Sequence, residues 1–202
     1  TLTTTFKNVF NGCTSLTSLP DGLFVNNKAV TTFESAFNEC TALISLPDGL
    51  FANNSKVSTY LNAFKGCTSL SSIGKIFGTN STSKLKLESA FEGCTSLKAL
   101  PAGFFDGLTG ADSFKKTFYG CTSLATIPEK LFAKCSNATT TESCFQNCTA
   151  LQAVPASLFG TTTKTKTLTS MFSGCSSLET IAPDAFSGIN ASAGTVEKIF
   201  QN

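Results

Sequence analysis

The chain contains no arginine, no histidine and no tryptophan, and its fifteen cationic side chains are all lysine. Without arginine it lacks the planar fork that best grips phosphate. Without histidine it lacks the commonest acid–base group near neutral pH and the commonest nitrogen ligand for metals. Charged residues make up 14% of the chain and the formal net charge is +2. No strongly basic balance marks a nucleic-acid-binding face, so nucleic acid is not expected as a partner. The apolar runs are far shorter than the roughly 20 residues of a membrane-spanning helix, so no membrane insertion is expected in this segment. No initiator methionine or charged-then-apolar leader is present, and any targeting signal is expected to be removed or to lie outside the segment. Chemical motifs are missing too: no CxxC pair, calcium-loop D-x-D-x-D-G, phosphate-cradling glycine motif or G-x-S-x-G occurs. No enzyme activity, metal or cofactor is expected.

What is present is a repeat. Cys13, Cys40, Cys67, Cys94, Cys121, Cys148 and Cys175 recur every 27 residues. Three residues before them stand Phe10, Phe37, Phe64, Phe91, Phe118, Phe145 and Phe172; three residues after them stand Leu16, Leu43, Leu70, Leu97, Leu124, Leu151 and Leu178. A further apolar column runs from Leu19 through Leu46, Ile73, Leu100, Ile127, Val154 and Ile181, followed in most units by proline. Phe24, Phe51, Phe77, Phe105, Phe132, Phe159 and Phe186 form a second aromatic column, and Phe6, Phe33, Tyr60, Leu87, Phe114 and Leu168 a third. Side chains that return once per unit form core ladders, buried only when neighbouring units stack. The expected architecture is one α/β solenoid over residues 1–202: a partial unit at 1–12, then seven 27-residue units starting at the column cysteines. Its parallel sheet is built from short strands, with short helical turns.

Within a unit, SLTSLP is rich in β-compatible residues and ends at proline, which reads as a brief strand. PDGLF places proline at a first helical position with aspartate behind it, which suits a single helical or 3₁₀ turn, with Asp21, Asp48 and Asp184 as caps. In VTTFESAFNEC, Val30, Phe33, Ala36, Phe37 and Cys40 recur at helical spacing, whereas KLKL at 84–87 alternates like a strand. The spacing predicts a short β stretch passing into a helical turn around Ser35 to Phe37.

The column cysteines admit several readings. Equivalent positions on adjacent rungs lie close enough for disulfides, yet they project in parallel, and seven would leave one unpaired. Buried free thiols that fill the space between rungs are the favoured reading, with inter-rung disulfides or a metal as alternatives. Serine at Cys94 is then expected to cost about 1–3 kcal/mol through an unsatisfied hydroxyl, and alanine less. Off the column, Cys144 shares the small-residue slot of Ala36, Ala63 and Ala90. Cys135 lies in the variable loop LFAKCSN and reads as a partly exposed thiol, or as half of a local disulfide with Cys144.

The run AFNECTALISLP, with AF-x-x-C-x-x-L-x-x-L/I-P in most units, resembles the BspA-like leucine-rich repeats of bacterial surface proteins. SMFSGCSSL at 170–178 is similar to the MF-x-G-C form of that family, and LTSLPDGLF to the LxxLPxGxF of animal-type leucine-rich repeats. The 27-residue unit is longer than the family's usual one. The resemblance implies a right-handed or arc-shaped solenoid, extracellular or on a cell surface, used for adhesion or for binding a protein or glycoprotein, with no catalytic residues to carry over.

Positions between the ladders are expected to face solvent and to vary from unit to unit: Thr17, Ser45, Lys98, Thr126, Gln152 and Glu179. Such variation suits a binding face and equally an unconstrained solvated one. Phe104 fills the slot of Leu23 and Leu50, and Phe200 begins an eighth row of the first column, which leaves Tyr119 as the one aromatic outside the ladders and the best single contact candidate. A spacer or assembly element, with end-to-end self-association, is the alternative to a binding module. N-x-S/T sequences at Asn53, Asn80, Asn137 and Asn190 read as part of a Ser/Thr/Asn-rich surface.

Overall fold

The structure, a computed structural model, describes residues 2–160, 164–189 and 197–201. Asn190 lies outside the described residues. The strands are two or three residues long and pair in parallel. β1 (Ser45–Leu46) pairs with β2 (Ser72–Ile73), β3 (Leu85–Lys86) with β4 (Ala111–Ser113), and β5 (Ala153–Val154) with β6 (Thr180–Ile181). Isolated parallel bridges continue the rows from Thr5 to Thr32 to Thr59 to Lys86, from Ser113 to Thr140 to Thr167, and from Ala99 to Thr126. The partners recur at the sequence period, so each pass of the chain lies on the last, as in a leucine-rich-repeat solenoid. Proline after the apolar column lacks an N–H to extend the ladder, which helps keep the strands short.

The expected helical turns do not form: among the described residues there is no helix. Ser35, at the centre of the predicted turn, has φ 52°, and Asn8, Asn62, Ser89, Lys116, Ser143 and Ser170 repeat that left-handed conformation unit after unit. The backbone donors explain it. Alternate N–H groups bond within the coil, as Ala36 N to Phe33 O at 3.1 Å and Cys40 N to Phe37 O at 3.2 Å. Those between them cross to the next coil: Ser35 N to Leu61 O, Phe37 N to Ala63 O and Glu39 N to Lys65 O, at 2.7–2.8 Å. A helix would close every donor on its own segment; here half are spent on stacking. The i, i+3 periodicity survives because each turn still brings those side chains to one side.

The PDGLF segments are likewise isolated turns, with Gly22 and Gly49 at φ 68° and 66°. The aspartates bridge coils instead of capping helices. Asp48 Oδ1 accepts from Lys75 N at 2.7 Å, and Asp184 Oδ2 accepts from Ser157 Oγ at 2.6 Å.

The core is a set of stacked rings. Phe10, Phe37, Phe64, Phe91, Phe118, Phe145, Phe172 and Phe200 form one continuous column with centroid spacings of 5.2–5.7 Å and interplanar angles of 4–14°. The Phe24 column leans into it and into the third column, with Phe24–Phe33 at 4.7 Å and Phe33–Phe51 at 4.5 Å, both tilted. Each such pair adds about 0.5–1.5 kcal/mol to the area term. Phe10, Cys13, Leu16 and Leu19 are half-buried because a coil covers them on one side only, whereas Phe37, Cys40 and their equivalents through Cys175 are buried.

Candidate functional site

The cysteines are the strongest nucleophiles the chain could offer, and the structure buries eight of the nine. All nine are free thiols, and all but Cys13 are buried. Each buried column thiol donates to the carbonyl of the phenylalanine one coil back: Cys40 to Phe10 O at 3.1 Å, Cys67 to Phe37 O, Cys94 to Phe64 O, Cys121 to Phe91 O and Cys148 to Phe118 O at 3.2 Å, and Cys175 to Phe145 O at 3.1 Å. The same carbonyl already accepts the turn bond from its own coil, for example Cys67 N to Phe64 O at 3.2 Å. The thiol therefore satisfies the second lone pair of a buried carbonyl. Burial pushes Cys40 and Cys175 up to about 11 and Cys67 up to about 12, and raises Cys94, Cys121 and Cys148 as well. Almost no thiolate exists near neutral pH, so nucleophilic chemistry is unavailable to them.

Cys135 corrects the sequence reading. It is buried, not partly exposed, and its Sγ lies 3.7 Å from Phe105 O. Cys144 is free and buried as well, so the two form no disulfide. Cys135 follows Phe132 by three residues, as Cys148 follows Phe145, and so belongs to a column with Asn27, Asn54, Asn80 and Leu108 that the sequence reading missed. Counting three residues on from the second phenylalanine column would have found it. The asparagines there do the same work: Asn54 Nδ2 donates to Phe24 O and Asn27 O, and Asn80 Nδ2 donates to Val57 O at 2.8 Å. Asn80 is thereby buried and unavailable for glycosylation, whereas Asn53 and Asn137 are exposed.

The proposed surface residues divide into three groups. Thr17, Lys98, Gln152 and Glu179 are exposed and share one register position, four residues after the column cysteine. The backbone ladder holds that row: Ile44 N donates to Thr17 O, Ala125 N to Lys98 O, Gln152 N to Ala125 O and Glu179 N to Gln152 O, at 2.9–3.2 Å. Ile44, Ser71 and Ala125 complete the row, and Ile44 is 53% exposed. Ser45 and Thr126 stand one residue later, in the strand rows, Ser45 half-buried and Thr126 exposed. Tyr119 is on a different face. It is half-buried on the turn side, accepts from Asn147 Nδ2 at 3.0 Å and carries Lys116 Nζ 5.4 Å from its ring centroid.

Among the described residues, no helix is long and apolar enough to cross a membrane, and no three His, Cys, Asp or Glu side chains converge as metal ligands. No protein-family model matches the chain, and no curated protein matches it. Solved structures do. The chain is similar to a leucine-rich cell surface protein from Faecalibacterium prausnitzii at 22% identity, over 87% of this chain and 45% of that one, with a TM-score of 0.41. It is also similar to the Toll–Spatzle complex of Drosophila at 23% identity, over 89% of this chain and 23% of that one, with a TM-score of 0.48. A leucine-rich-repeat protein from Bacteroides ovatus matches at 21% identity, over 87% and 58%, with a TM-score of 0.27. The chain thus spans less than half the length of the Faecalibacterium protein, and its neighbours include bacterial leucine-rich-repeat proteins, the class that the AF-x-x-C-x-x-L register resembles.

Proposed function

We propose that the chain is a non-enzymatic, adhesin-like recognition module of an exported surface protein, a solenoid of seven units that contacts proteins or glycoproteins through its strand face. One observation carries this reading. Side chains four residues after each column cysteine vary in size and charge, from Thr17 and Ile44 through Lys98 to Gln152 and Glu179, on a row whose backbone is fixed. The flanking Leu43, Leu46, Leu97, Leu100, Leu151 and Val154 stay apolar and buried. A rigid frame that changes only at its exposed positions suits recognition.

The test is capture of purified extracellular glycoproteins on the immobilised chain. A chain carrying Lys98→Ala, Gln152→Ala and Glu179→Ala should keep its fold and lose at least tenfold in affinity for whatever the parent captures. Parent and variant capturing equally would remove the strand row from consideration.

The runner-up role is a spacer or assembly element, and the backbone bonds that join coil to coil favour it, since they resist bending. Absence of capture across the panel, together with a stiff contour in small-angle scattering, would support the spacer.

A further inference from the structure

A second surface differs from the strand face in chemistry. Buried Val30, Val57, Leu85, Ala111, Ala138 and Thr165 mark the start of the turn side of the coil. The residues on either side of them, apart from buried Gly110, are exposed or half-buried and form two rows. The second row is fixed by Ser58 N to Thr31 O, Lys86 N to Ser58 O, Thr139 N to Asp112 O and Lys166 N to Thr139 O, at 2.8–3.1 Å. Lys166 stands in that row beside Thr139, and Lys86, joined to it through Ser58, pairs across the register shift with Ser113 of the adjoining row. Lys56, Lys84 and Lys164 stand one residue before the buried positions, in the other row, and Lys28 lies beside it; all six lysines are exposed. The left-handed backbone at Lys84, φ 63°, sits where the β3–β4 register shifts and leaves Lys84 and Lys86 exposed around buried Leu85.

Among the described residues none of these six lysines has a carboxylate within ion-pair distance, whereas Lys7, Lys65 and Lys115 pair with Glu34, Glu92 and Glu142. Lys164 Nζ donates to the amide oxygen of Asn137, at 3.1 Å. In the same rows the hydroxyls of Thr31 and Ser58 donate to the backbone carbonyls of Thr4 and Thr31, and Thr139 Oγ1 donates to Asp112, 3.0 Å from its carboxylate and 3.2 Å from its carbonyl. Their oxygens are left as oriented acceptors.

We infer that these two rows bind a linear acidic polysaccharide laid along the solenoid. Unpaired lysines one coil apart supply point charges for sulfate or carboxylate groups, and the hydroxyl oxygens between them accept from sugar hydroxyls. The Lys84 and Lys164 coils are three steps apart, roughly 15 Å at the strand spacing, so one extended chain bridges both clusters. Nucleic acid fits less well, because the rows hold no aromatic for a base to stack on and no arginine. This surface lies apart from the strand row, and its test is independent of protein capture.

The experiment is fluorescence anisotropy with a labelled heparin-type decasaccharide, competed by neutral dextran and by a single-stranded oligonucleotide. Binding should weaken steeply with salt and resist dextran, and the oligonucleotide should compete less well than unlabelled decasaccharide. Lys84→Gln with Lys86→Gln, or Lys164→Gln with Lys166→Gln, should each lower affinity about fivefold or more, as lost counterion-releasing contacts do. Lys130→Gln with Lys134→Gln, exposed elsewhere, should change it less than about twofold, as should the Lys98, Gln152 and Glu179 substitutions. No binding at low salt, an equal loss in the Lys130 and Lys134 control, or tighter binding of the oligonucleotide would each overturn the assignment. Far-UV circular dichroism confirms that the variants stay folded.

Discussion

Thr141 Oγ1 lies 3.4 Å from Met171 Sδ, and each residue is an exception in its own column. Thr141 stands where other units place Phe33, Tyr60, Phe114 or Leu168, so a ring is missing from the core there. Met171 stands where other units place Ala36, Ala63 or Ala90, and its long, unbranched side chain fills the vacated volume. Both are fully buried.

Restoring the repeat one residue at a time should therefore fail. Met171→Ala opens a cavity and is expected to cost about 2–5 kcal/mol; Thr141→Phe overpacks and should cost about 1–3 kcal/mol. Together they recreate the arrangement of the other coils, so the double variant should be more stable than the sum predicts, with a coupling of at least about 1 kcal/mol. Urea denaturation of the four proteins measures it, and strict additivity would show that the two sites do not share volume.

The thiol column leads to a second prediction, and it reverses the order expected from sequence. A serine hydroxyl at Cys94 does not go unsatisfied, because Phe64 O stands ready to accept from it, as it does from Sγ at 3.2 Å. Alanine leaves that lone pair bare and removes the sulfur's packing. Cys94→Ser should cost about 1 kcal/mol and Cys94→Ala at least as much. Denaturant midpoints decide the order.

The ladders were legible in the sequence because each core residue repeats itself. Phe10 predicts Phe37, and Phe37 predicts Phe64. The turns were not, because Ser35 is held left-handed by a bond to Leu61 O in the next coil. A local pattern of Phe33, Phe37 and Cys40 reports which side chains share a side, not where the N–H groups go. Cys135 was misplaced for a related reason: its column mixes asparagine, leucine and cysteine, so identity does not advertise it, though one shape and one carbonyl-facing slot serve all three. Of the surface, sequence showed which positions vary. It did not show that Tyr119 lies apart from Lys98, or that Lys84 and Lys86 stay exposed around a buried leucine.

Two glycines separate the effect of space from that of backbone conformation. Gly12 has φ 73° with nothing within 4 Å of an added Cβ, so alanine there pays only for the left-handed conformation, about 1–2 kcal/mol. Gly78 has no left-handed φ, but an added Cβ would run into the backbone carbonyl of Ala52 in the neighbouring coil. Alanine at Gly78 must push two coils apart and should cost more than alanine at Gly12, about 3 kcal/mol or above. Thermal melts of the two variants make the comparison, and a smaller loss at Gly78 would mean that the coils are not so closely apposed.

Alkaline pH should unfold the protein through its thiols. Burial raises eight of them from the ordinary value of 9.0, to about 11 for Cys40 and Cys175, about 12 for Cys67, and upward for Cys94, Cys121, Cys135, Cys144 and Cys148. Below the unfolded value both states hold every proton, and the thiols contribute no pH dependence. As pH rises past it, the unfolded chain releases protons that the folded chain still holds. Stability then falls by about 1.4 kcal/mol per pH unit for each such group, until pH passes its folded value. The protein is expected to keep constant stability from pH 7 to 8 and to unfold cooperatively between about pH 9 and 11, measured by urea denaturation under a reductant that blocks oxidation. Cys121→Ala, which removes one such group, should flatten the slope above pH 9 while lowering stability at pH 7. A parent whose stability is unchanged through pH 11 would mean that the thiols titrate alike in both states and would overturn this account.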